Sequence, residues 1–228
     1  MRCAENDQER RVFLCYSLGA NLLNIDFEKV MYEAYINAFH GMKPSKEEQK
    51  SWKLTREYVL EPLCNDGSLN SHGFFFELFP IKNRKYRIDL MIVGSNHNKK
   101  ICSTIVEVKM HKNISGFTTS EGQFHGVNGL IDHPLTQAYR YQKSLQLHNA
   151  IYTKHNGLIQ SCSFLPKATR KGNVLFFNYN NHLGKNFAKD ELAELIDYHL
   201  AIAPNSFDNG KDLTAIVKNE QWSSPELA

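Results

Sequence analysis

The sequence predicts an α/β fold with a central mixed sheet flanked by helices, and three observations predict it. Apolar residues recur with a helical period from residue 27 to residue 59. Between residues 74 and 110 the pattern changes to three short runs rich in aromatic and β-branched side chains. From residue 133 onward, helical and extended patterns alternate, as they do in layered α/β chains.

The chain has 228 residues, 42% of them hydrophobic and 22% charged, which suits one globular domain with appendages. Residues 1–25 are expected to form a lead-in, 26–203 the domain and 204–228 a partly ordered tail. No apolar run approaches the length of a membrane span, and no secretory signal pattern opens the sequence. The five cysteines are scattered without a CxxC pair, which argues against a disulfide framework and a structural zinc site. A reduced, cytoplasmic protein is the expectation.

Asp26 is a suitable N-cap for a helix carrying Phe27, Val30, Met31, Ala34, Tyr35 and Ala38 on one face. Ser45 and Glu48 form a capping-box pattern at the start of a second helix, which runs past Trp52, Tyr58 and Val59 to the breaker at 64–68. The three extended runs, 74–81, 86–93 and 101–110, are joined by short polar linkers and read as an antiparallel meander. Residues 112–130 read as a loop and 133–147 as a helix with Pro134 in its first turn. Two further strands are expected at 158–165 and 173–179, and a last helix at 189–200.

Charge is unevenly placed. The window 82–112 holds eight basic residues and two acidic ones, Asp89 and Glu107. A basic centre in a nearly neutral chain suits an anionic partner such as nucleic acid; lysine-rich turns that keep strand edges soluble would give the same composition.

The chemistry-bearing residues lie on the meander. Asp89 interrupts the apolar run Ile88–Val93, Glu107 and Lys109 alternate with Val106 and Val108, and Glu77 follows three phenylalanines. If Glu77 faces Asp89, the hairpin centre falls at Asn83; if Asp89 faces Glu107, it falls at Asn98. Both centres lie in the polar linkers, so three acids line up across three strands. Opposed like charges destabilise a sheet unless a cation sits between them. Oxygen ligands favour a hard ion, Mg²⁺ or Mn²⁺, held by Asp89, Glu107, the Val108 carbonyl and Glu77. Such a site would hydrolyse phosphodiesters, with Lys109 assisting. The alternative is a set of half-buried ion pairs, Asp89 with Arg87 or Lys109 and Glu107 with Lys109.

The pattern Arg87-Ile88-Asp89, a polar turn, then Ile105-Val106-Glu107-Val108-Lys109 resembles the PD-(D/E)xK nucleases, which share the restriction-endonuclease-like three-layer fold. Ile88 stands where that family usually has proline. Gln137 and Tyr141 are similar to the Gln-x-x-x-Tyr signature of the RecB-like branch, and i,i+4 spacing puts them on one helix face. The resemblance implies that Gln137 contacts nucleic acid or the metal's water and Tyr141 the DNA. It also implies an acid on the first helix, for which Glu33 is the candidate, with Glu28 second. Arg87, Lys85, Lys112, His133 and Arg140 are candidate phosphate contacts. Much of the chain is also similar to the nuclease-like region that precedes Schlafen-like ATPase domains in bacterial helicases. No GxxxxGK[ST] motif is present, so a motor would be a separate partner. These resemblances imply a DNA nuclease of DNA processing or defence, with RNA an open alternative and a homodimer compatible. A catalytically inactive nucleic-acid-binding or ATPase-docking module is the rival.

Overall fold

A computed structural model describes residues 2–3, 15–78, 87–126, 129–153 and 156–207. Two short strands, β1 (Arg2–Cys3) and β2 (Cys15–Leu18), precede a short helix α1 (Gly19–Leu22). Helix α2 (Phe27–Ala38) begins where the Asp26 side chain accepts the Lys29 N–H. Helix α3 (Lys46–Thr55) starts with the complete capping box: the Ser45 hydroxyl accepts from Glu48 N–H and the Glu48 carboxylate accepts from Ser45 N–H. It continues through a π-helical turn (Arg56–Leu60) into α4 (Glu61–Asn65). Pro62 explains the turn, since its ring would clash with the carbonyl four residues back; the Glu61 N–H reaches back five residues to Arg56 instead.

The meander forms as β3 (Gly73–Leu78), β4 (Ile88–Ser95) and β5 (Ile101–Val108). A small separate hairpin, β6 (Gln123–Gly126) with β7 (Gly129–Asp132), leads into α5 (Pro134–His148) and α6 (Ala150–Thr153). Then come β8 (Leu158–Leu165), α7 (Val174–Asn178), a 3₁₀ turn (Asn181–Leu183), β9 (Lys185–Ala188) and α8 (Leu192–Leu200). The main sheet has the order β1-β2-β3-β4-β5-β8-β9, antiparallel as far as β5 and parallel from β5 to β8 to β9.

The expected registers are present. Phe76 faces Leu90 and Leu78 faces Ile88, bracketing Glu77 and Asp89; Leu90 faces Val106, which puts Asp89 and Glu107 next in line. One sheet face, with Phe74, Phe76, Leu90, Ile92, Val106 and Phe164, packs against α2, α3, α4 and α8. The other, with Phe75, Met91, Val93, Ile105 and Ile159, packs against Ala138 and Leu145 of α5 and Ile151 and Tyr152 of α6. The chain is therefore mixed α/β, its sheet lying between two helical layers. Among the described residues no helix is long and apolar enough to cross a membrane.

Several expectations need correction. The segment 173–179 is helical (α7), because Phe176 and Phe177 pack into a third cluster with Phe124, Leu165 and Ala188, and packing overrides strand propensity. The expected loop at 112–130 contains β6 and the start of β7, and β9 was not expected. The last helix starts at Leu192; before it, Glu191 turns back to accept the Ala188 N–H at 2.7 Å. The lead-in contributes β2, hydrogen-bonded to β3. The expected tail is stitched to the fold through Phe207: Asn205 bridges Ser95, Phe207 N–H reaches Ser71, and the Phe207 ring is buried.

Candidate active site

The site is built at one end of β3, β4 and β5. Along β3 the side chains should alternate between faces, yet Phe76 belongs to the first cluster and Leu78 to the second. The break lies at Glu77, whose φ is +54°, left-handed backbone that a non-glycine residue rarely adopts. Strain of this kind costs on the order of 1–3 kcal/mol and collects at functional sites. It aims the Glu77 carboxylate toward α3, where Trp52 Nε1–H donates to Oε1 at 3.3 Å. Arg87 stands at the start of β4, its Nε 2.8 Å from Glu77 Oε2 and its Nη1 3.2 Å from Glu48 Oε1. Burial pushes the Glu77 carboxyl up to about 7; Arg87 opposes that rise and Asp89 adds to it.

Asp89 is half-buried and fixed by one oxygen, Oδ2, which accepts the Val108 N–H at 3.0 Å. Glu107 is buried. Its Oε1 accepts from Lys109 Nζ at 2.6 Å, while Oε2 has no hydrogen-bond partner. Burial, then the charge of Asp89, raises the Glu107 carboxyl, and Lys109 counteracts both. Burial works against the Lys109 ammonium, but Glu107 and Asp89 outweigh it and keep the group firmly charged. The Lys109 backbone N–H bonds Phe164 O, tying the end of β5 to β8.

A cavity of about 270 Å³ is lined from the sheet side by Glu77, Asp89, Val108 and Lys109; Glu107, buried behind Lys109, does not line it. Phe27 and Met31 of α2 and Ser51, Trp52 and Thr55 of α3 close it from the other side. Among the described residues no three His, Cys, Asp or Glu side chains stand grouped so as to hold a metal ion. Lys109 supplies the countercharge at Glu107 in this arrangement. The chemistry of the donors nonetheless fits a hard cation: they are all oxygens, the charge of Asp89 raises both Glu77 and Glu107, and one buried carboxylate oxygen, Glu107 Oε2, has no hydrogen-bond partner.

Other candidates lie elsewhere. Glu33 is exposed on α2 and lines a separate surface groove with Asp26 and Glu28, so it does not reach the cavity; Glu28 is held by Arg56 at 2.9 Å. His133 is no phosphate contact. It is fully buried, accepts the Leu135 N–H at Nδ1 and donates from Nε2 to Phe176 O, and burial pushes its pKa down to about 4. Arg140 is paired with Asp132 at 2.7 Å at the surface. Gln137 donates to Asp132 O at 2.8 Å, and Tyr141 packs beside the second core cluster; neither lines the cavity. Arg87 is half-buried and paired with Glu77 and Glu48, Lys112 is exposed, and Lys85 lies outside the described residues.

Sequence reasoning missed Trp52 and Glu48 as partners of the site. Trp52 carried a signal: a tryptophan on a buried helix face needs an acceptor for its N–H. Glu48 was legible only as a cap, yet its second oxygen serves Arg87. Comparison with protein-family models, curated proteins and solved structures finds no match, so the grounds for a function are these side chains themselves.

Proposed function

We propose that the protein is a divalent-metal-dependent nuclease of the PD-(D/E)xK kind, which hydrolyses phosphodiester bonds in DNA with Mg²⁺ or Mn²⁺. The observation that carries this reading is the register that sets Glu77, Asp89 and Glu107 side by side on three adjacent strands, with Glu77, Asp89 and Lys109 lining one cavity and Glu107 buried behind Lys109. The order of elements, helices, three antiparallel strands, a helix and a parallel strand, supports the restriction-endonuclease-like fold.

Asp89, Glu107, the Val108 carbonyl and Glu77 would hold the ion. When bound, such an ion makes water a stronger nucleophile and offsets charge building on the phosphate. Lys109, released from Glu107, would present its ammonium to the same phosphate oxygens. Asp89 stays in place throughout because Val108 N–H anchors it. Trp52 and Arg87 hold Glu77 ionisable inside an otherwise apolar wall.

The Lys109–Glu107 pair at 2.6 Å also favours a second reading, a non-catalytic module of this fold that binds nucleic acid or docks on an ATPase. One set of measurements separates the two. Cutting of linear, circular and single-stranded DNA is followed with Mg²⁺, with Mn²⁺ and with EDTA. Asp89→Ala and Lys109→Ala should each slow cutting by at least ~100-fold, with melting temperature showing that both variants fold. Mn²⁺ should raise the melting temperature of the unsubstituted protein but not of Asp89→Ala. Binding without cutting under every metal selects the non-catalytic module.

A further inference from the structure

The lysine at the end of β5 has counterparts on the next two strands of the sheet. In the parallel registers Val108 faces Phe164 and Leu165 faces Ala188, so β5, β8 and β9 finish within one residue of the same level. The first lysines past those ends are Lys109, Lys167 and Lys189. Backbone bonds tie the three ends together: Lys109 N–H reaches Phe164 O at 3.1 Å and Lys189 N–H reaches Ala168 O at 2.9 Å. At ~4.8 Å per strand the row is about 10 Å long. It prolongs, along the same rim, the row of Glu77, Asp89 and Glu107.

The loop after β8, residues 166–172, holds Lys167, Arg170 and Lys171 and no acid. Arg170 serves the fold: it donates to both oxygens of Glu191, at 2.7 and 3.0 Å, and to Asn186 O at 2.6 Å. That fixes the loop and neutralises Glu191. Lys167 Nζ stands 4.2 Å from the centre of the Tyr58 ring, on the side of the sheet where α3 covers Lys109. Lys171 and Lys189 are exposed. Among the described residues no carboxylate forms an ion pair with Lys167, Lys171 or Lys189, the nearby Glu57 and Asp190 included. The phosphate contacts expected from the sequence are largely committed elsewhere: Arg87 to Glu77 and Glu48, Arg140 to Asp132, His133 to the core. Uncompensated ammonium groups in a row, on a fixed loop, suit a chain of phosphates.

We propose that Lys167 and Lys189, with Lys171 beside them, carry the sugar–phosphate backbone of a nucleic acid across the ends of β8 and β9. The backbone then reaches Asp89 and Lys109 from that side, and not across α5, where Gln137 and Arg140 stand. A row of this length faces about three successive phosphates of one strand. This rests on the nuclease reading for what happens to the phosphate at Asp89, but not for the binding it describes.

A labelled DNA duplex with single-stranded tails offers both forms of backbone. It is titrated over a series of KCl concentrations in EDTA and, with Asp89→Asn in every protein to prevent cutting, in Mg²⁺. Lys167→Ala with Lys189→Ala should weaken binding at least ~10-fold and lower the slope of log K against log [KCl] by about 2, one for each lost phosphate contact. Lys100→Ala with Lys143→Ala removes the same charge from exposed positions at the opposite rim and on α5, and should leave the slope unchanged. Lys167→Arg with Lys189→Arg keeps the charges and should keep the binding. Lys189→Glu alone, at an exposed position, should weaken binding more than Lys189→Ala. No binding under either condition, equal losses in the two double alanine variants, or a slope unmoved by Lys167 and Lys189 overturns the proposal. Failure of the nuclease reading looks different: the slope depends on these lysines, yet no metal supports cutting. Asp89-dependent cutting that is indifferent to Lys167 and Lys189 at low and high salt overturns the proposal and leaves the nuclease standing.

Discussion

At Glu77 the backbone is left-handed and the carboxylate is almost wholly out of water, two costs borne by one residue. Trp52 and Arg87 offset the second. Trp52→Phe keeps a ring in the wall but removes the donor, leaving Oε1 in a dry setting. A loss of about 2 kcal/mol in unfolding free energy is expected, read by urea denaturation. In a Glu77→Gln background the same change should cost clearly less, since the cycle isolates the pair. The row of acids was legible because strand period and turn position together fix register. The kink was not, because nothing in Phe76-Glu77-Leu78 announces a positive φ; only the surrounding packing makes it tolerable.

The elements divide in the same way between those that local chemistry determines and those that packing decides. Helix α3 is of the first kind: a complete capping box sets its start, and Ser45→Ala should lower stability by about 1 kcal/mol, measured as a shift in the denaturation midpoint with an unchanged slope. Helix α7 is of the second kind. Val174-Leu175-Phe176-Phe177 has strand composition, but a helical turn sets Phe176 5.3 Å from Phe124 and 4.3 Å from His133. The β6–β7 hairpin was illegible because four-residue strands give too few positions for a period to be seen. The π-helical turn had its cause in plain view at Pro62, although a break in the helix at that point would have suited the same residue.

Across the whole molecule, the same strands end in two unlike environments. Where β3 and β5 finish and β4 begins lie the acids. At the opposite end the segment after α8 folds back: Ala203 O accepts from His72 Nε2, and Ser95 Oγ donates to Ser206 O. His72 packs edge-on to His199 with ring centroids 5.1 Å apart, and His199 Nδ1 pairs with the Thr104 hydroxyl at 2.9 Å. Burial lowers both histidines, His199 to about 3, and His72 beside it pushes His199 the same way. In the unfolded chain each titrates near 6.5. Below that pH the unfolded chain takes up protons that the folded one refuses, so stability is full above about pH 6.5 and falls as pH drops toward the folded values. For His199 alone the loss by pH 5 is about 2 kcal/mol. Glu77 contributes with the opposite sign, its share declining as pH rises from its unfolded value, near 4.3, to about 7. Urea denaturation at pH 7 and pH 5 reads the sum, and His199→Gln should flatten the acid-side slope whatever it does to stability at pH 7. A slope unchanged by that substitution would assign the acid sensitivity to other groups.

The stitch between Asn205 and Ser95 has a practical corollary. Six residues of extended strand separate Ser95 from Asp89, about 20 Å, so whatever is joined to the polypeptide after Phe207 starts from the far rim of the sheet. A dye, an affinity handle or a fused neighbour attached there is rooted a sheet's length from Asp89, at the rim that the acids do not occupy.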